Sequence, residues 1–80
     1  MVERMTIQKK TIAHLSKILI ANLVSFQIEG YKIMSKMIDE KVSFYVLQHK
    51  KNKNRLSLVL DKRYNMITIL KNGKLLKRIQ

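Results

Sequence analysis

Residues 66–79 read MITILKNGKLLKRI. Two short runs rich in Ile, Leu and Lys flank Asn72-Gly73. Asn-Gly favours a two-residue type I′ turn, because both central residues need φ > 0 and these two residue types tolerate it best. The stretch therefore predicts an antiparallel hairpin of strands 66–71 and 74–79, with Leu70 opposite Leu75, Thr68 opposite Lys77 and Met66 opposite Ile79.

Reading backwards, residues 55–60 and 43–48 carry the same near-alternation and the same Val, Leu, Phe and Tyr content. A five-residue loop over 61–65 would set Leu60 against Met66, Leu58 against Thr68 and Leu56 against Leu70. Residues 31–38 fit either period: Ile33, Met34, Met37 and Ile38 suit a helix, whereas Tyr31, Ile33, Ser35 and Met37 suit a strand. The strand is preferred because Asp39-Glu40-Lys41 makes a three-residue hairpin loop. Upstream, Thr6 can cap a helix running to about Val24. Ile12, Leu15, Leu19, Leu23 and Phe26 form its apolar stripe, widened by Ile7, Ile18 and Ile20, with Lys9, Lys10, Lys17 and His14 on the exposed side. No linker or repeat interrupts residues 1–80. The expected fold is α+β: one domain, with an N-terminal helix packed on one face of a four- to five-stranded antiparallel β-meander.

This register sorts the side chains. One sheet face would gather Leu56, Leu58, Leu60, Met66, Leu70, Leu75 and Ile79 under the helix. The other would gather Val59, Ile67, Ile69 and Leu76, edged by Arg55, Lys71, Lys74 and Arg78. Phe44 and Val46 would join one face, and Tyr45 and Leu47 the other. A single helix cannot cover both faces. Val59, Ile67, Ile69 and Leu76 are thus the expected protein interface, closed by a second copy or a partner protein. Met34, Met37 and Met66 are read as core filler, and Tyr64 as a half-buried anchor of its loop.

The chain has 17 Lys+Arg against 5 Asp+Glu, a formal charge of +12 on 80 residues. It is 46% hydrophobic, which separates it from disordered basic tails. A chain this short buries only roughly 60–65% of its unfolded surface, so its core is thin. In an up-and-down meander the loops at 49–54 and 72–73 share one end of the sheet. Lys50, Lys51, Lys53, Arg55, Lys71 and Lys74 should meet there beside His49 and no acid, with Asp39, Glu40 and Asp61 at the opposite end. Such a patch attracts anionic partners. Lysine outnumbers arginine thirteen to four, which suits phosphate attraction better than base reading.

Cysteine is absent, so no disulfide or thiolate metal site is expected, which fits a reducing cytoplasm. His14 and His49 lack a second ligand at metal spacing, and no serine has a local base, so neither a metal site, a cofactor nor an enzyme is expected. The run 18–26 is broken by Asn22 and Ser25 and falls short of a membrane span. Lys9, Lys10 and Lys17 imitate the basic start of a signal peptide, but no cleavage site follows. The first functional expectation is a small nucleic-acid-binding protein. The second is a protein-interaction module, a regulator or inhibitor such as a phage or mobile element encodes, docking on an acidic partner. A membrane-surface role ranks last, since folding should claim the helix stripe.

Overall fold

The structure, a computed structural model, describes residues 12–80. Helix α1 (Ile12–Ile28) precedes β1 (Tyr31–Ile38), β2 (Val42–His49), β3 (Arg55–Asp61), β4 (Met66–Lys71) and β5 (Lys74–Ile79). The strands form one antiparallel sheet in chain order, β1-β2-β3-β4-β5. The fold is the expected α+β arrangement of a helix on a five-stranded meander, and residues 31–38 are a strand. The expected cap at Thr6, with Ile7, Lys9 and Lys10, lies outside the described residues.

Helix α1 presents Leu15, Leu19 and Leu23 to the sheet, all buried, with Ile18 and Phe26 packed at the margin. Their spacing of three and four residues keeps them on one side of a 3.6-residue helix. Asn22 sits within this apolar run because its side-chain amide donates to the Ile18 carbonyl (2.9 Å). The helix runs four residues past the expected Val24. Ile20 does not widen the core stripe; it is 57% exposed. Among the described residues, no helix is long and apolar enough to cross a membrane.

The core is completed by Tyr31, Leu47, Leu56, Leu58, Leu60, Ile67 and Ile69. The β3–β4 register differs from the expected one by a single residue. Asp61 pairs with Met66, so Leu60 faces Ile67, Leu58 faces Ile69 and Leu56 faces Lys71. The connection therefore has four residues, 62–65, not five. Asn65 takes φ 50° and Asp61 accepts the Arg63 amide (3.0 Å), which closes the tighter turn. A one-residue slip exchanges the two faces of a strand. Ile67 and Ile69, expected at an exposed interface, are wholly buried under the helix, while Met66 and Leu70 turn to the opposite face. The exchange puts two β-branched side chains in the core in place of Met and Leu, which suits a pleated, packed surface.

Beyond the 72–73 turn the expected Leu70–Leu75 pair forms, but a bulge follows. Ile69 pairs with Lys77, Thr68 with Arg78 and Ile67 with Ile79, which leaves Leu76 without an opposite residue. Ile79 reaches the core margin as expected. The second face holds Phe44, Val46, Val59 and Leu70, all half-buried, with exposed Leu75 at its edge. Among the described residues no further element packs on it. Of the residues expected there, Val59 is present and Leu76 is exposed (52%) at the bulge. Met34 and Met37 are not core filler: both are about half exposed on the edge strand β1, and Met66 is half-buried on the second face.

Neighbouring residues in β4 should therefore differ sharply on truncation. Ile69→Ala is expected to cost about 2–4 kcal/mol and Leu70→Ala about 1 kcal/mol or less, measured by urea unfolding. The reverse order would return the sheet to the five-residue-loop register.

Candidate nucleic-acid interface

The α1–β1 junction, the 50–54 loop and the 72–73 turn lie at the same end of the sheet, because Tyr31 pairs with His49, Gln48 with Arg55, and Lys71 with Lys74. His49 organises this end. Its Nδ1 accepts the amides of Lys51 (3.1 Å) and Asn52 (3.3 Å), which assigns the ring proton to Nε2. Nε2 then donates to the Glu29 carbonyl (3.1 Å), at the C-terminus of the helix. The His49 amide donates to the Asn54 carbonyl (2.8 Å), and the Lys50 amide to the Gly30 carbonyl (3.0 Å). Tyr31 meets the imidazole edge-on at 4.9 Å and Phe26 edge-on at 5.8 Å. One side chain thus ties the helix end, the first strand and the lysine loop together. Sequence reading gave His49 no such role; its signal is a histidine just before a loop whose next amides need an acceptor.

Asparagines join the loop to the hairpin. Asn72 exchanges two hydrogen bonds with the Arg55 backbone: its Oδ1 accepts from the amide and its own amide donates to the carbonyl, each at 2.8 Å. Its Nδ2 donates to Asn54 Oδ1 (3.2 Å), while Asn52 Oδ1 accepts the Asn54 amide (2.9 Å). Asn72 and Gly73 have φ 52° and 84°, the positive pair that a type I′ turn requires.

These links bring Lys50, Lys51, Lys53, Arg55, Lys71 and Lys74 to one end, all exposed, as expected. Lys32, opposite Gln48, adds a seventh cation that sequence reading missed. The expectation that no acid lies there is corrected. Glu29 sits at this end, because β1 starts there and the helix must finish beside it. Lys71 and Lys74 stand directly opposite one another, an arrangement that repels within a sheet. Lys71, Asn72, Lys74, Leu75 and Leu76 line a shallow, open depression of about 330 Å³.

The opposite end is balanced. The Asp39 carboxylate accepts the amides of Lys41 (2.6 Å) and Val42 (3.3 Å), which hold its pKa below the usual value of 3.8. The Arg63 guanidinium hydrogen-bonds Asp61 and lowers its pKa likewise. Tyr64 is not a half-buried anchor: it is 66% exposed, with the Arg63 guanidinium 5.5 Å from its ring centroid. Comparison with protein-family models, with curated proteins and with solved structures found no match.

Two outcomes follow from these ends. Gly30 has φ 114°, and a Cβ there would come within 2.8 Å of His49 Nε2, so Gly30→Ala should destabilise the fold by about 1–2 kcal/mol in urea unfolding. At the other end, two depressed carboxylate pKa values stabilise the fold above their ordinary range and lose that contribution as pH falls through and below 3.8. The unfolding midpoint should drop between pH 5 and roughly pH 3, near the carboxylate range. A variant carrying Asp39→Ala and Asp61→Ala should show a flatter acid limb; an unchanged limb would assign the effect elsewhere.

Proposed function

We propose that the protein is a small, non-enzymatic, cytoplasmic nucleic-acid-binding protein whose basic sheet end contacts phosphates. The observation that supports this reading most is the convergence of Lys50, Lys51, Lys53, Arg55, Lys71 and Lys74, with Lys32, against one carboxylate among the described residues, Glu29. Bound phosphates would relieve the repulsion between Lys71 and Lys74 and release condensed counterions. A lysine-dominated surface attracts phosphate without reading base edges, so binding should be largely blind to sequence.

A second reading, an interaction module docking on an acidic protein, or a homodimer closing the same surface, is favoured by a different observation. The second sheet face keeps Phe44, Val46, Val59, Leu70 and Leu75 without a covering element among the described residues. Retention of one acidic protein from nuclease-treated lysate, with no nucleic acid retained, would select that reading.

The first reading has a direct measurement. Each phosphate neutralised on duplex DNA should contribute about 0.9 to the log–log salt slope, so binding should fall steeply between about 50 and 200 mM salt. Lys51→Glu with Lys53→Glu should weaken all sequences alike. Binding indifferent to salt, or absent at low salt near micromolar protein, rejects the proposal.

A further inference from the structure

We infer that the basic end takes a nucleic-acid duplex in preference to a single strand. The inference rests on the proposed function and adds the form of the ligand. Two independent features carry it: the stacking surfaces at this end and the layout of its cations.

Proteins that hold single strands lay successive bases on aromatic faces beside a cationic track. The chain has five aromatic side chains, and the basic end offers none of them as a platform. Tyr31 is buried between Phe26 and His49, and Phe26 is half-buried at the core margin. Tyr45 packs half-buried against the core, and Phe44 lies half-buried on the second face opposite Met37 and Val59. Tyr64 is open to solvent but belongs to the opposite end.

The cations form an array, not a track. Lys71 and Lys74 share the face of Leu56, on the helix side of the sheet. Lys32 and Arg55 share the other face, through Gln48. Lys50, Lys51 and Lys53 lie in the loop that joins β2 to β3 between them. Five strands at about 4.8 Å spacing make this end about 19 Å wide. Over that length a duplex carries about 11 phosphates on two backbones, at one charge per 1.7 Å of axis, and a single strand at most half as many. Cations on both faces can meet two backbones flanking a groove. A single strand lying along one face would leave the other face's cations unused.

The test uses the full chain and fluorescence anisotropy with four probes of one sequence, about 20 nucleotides long: duplex DNA, duplex RNA and the two corresponding single strands. At low salt each duplex that binds should do so at least about tenfold more tightly than its own single strand, with a salt slope of several units. A preference for the DNA or the RNA duplex identifies which source supplies the shared phosphate geometry, and either supports the inference. Lys32→Glu and Lys74→Glu, from opposite faces, should each weaken duplex binding at least about threefold, with folding checked by circular dichroism. An effect from one face alone overturns the two-backbone geometry. Single strands binding as tightly as duplexes overturn the inference but leave the proposed function standing, and would direct attention to the depression at Leu75 and Leu76. No binding to any probe overturns both.

Discussion

Burial of the β3 leucines beneath one helix is the constraint on which the rest of this small protein depends. Leu56, Leu58 and Leu60 point to the same side of the central strand and are essentially inaccessible to solvent. They meet Leu15, Leu19 and Leu23 from above and Leu47, Ile67 and Ile69 from the flanking strands. Because side chains alternate along a strand, this choice also assigns Arg55, Ser57 and Val59 to the other face. The partner strands must follow, since residues paired across an antiparallel ladder share a face. A helix of 17 residues has no second apolar layer to offer the far side.

Much of this was legible in the sequence. The strands, their order and the meander follow largely from turn chemistry: Asn72-Gly73 and the Asp39 loop each mark a reversal that only a few residue types allow. What was not legible was the phase between strands. Residues 61–65 accept a four- or a five-residue turn with the same letters, and the difference moves Ile67 and Ile69 from an apparent interface into the core. The bulge at Leu76 is similarly silent, because Leu75 and Leu76 are identical in type and nothing in the letters says which one the ladder skips.

The candidate site was more legible than the register, for a reason that lies in its position. Its members sit in turns and at strand ends, so they depend on which loops share an end of the sheet and not on which face each side chain takes. A one-residue slip leaves the basic end intact. The features missed, Lys32, Glu29 and the linking role of His49, belong to the junction where the helix enters the sheet, and their proximity depends on β1 starting beside the end of β2.

Strand β5 shows a further consequence. Among the described residues it lies at the edge of the sheet, paired only with β4, and five of its six residues are exposed. Helix α1 approaches β1, β3 and β4 but not β5. The strand therefore has little burial of its own to hold it, yet it supplies Lys74 to the cationic end. Any anion seated on Lys71 and Lys74 would contribute to the strand's attachment what the core does not. By linkage, occupancy at this end and protection of the β5 amides against hydrogen exchange should rise together. A lightly anchored strand would then serve as the reporter of occupancy at this end.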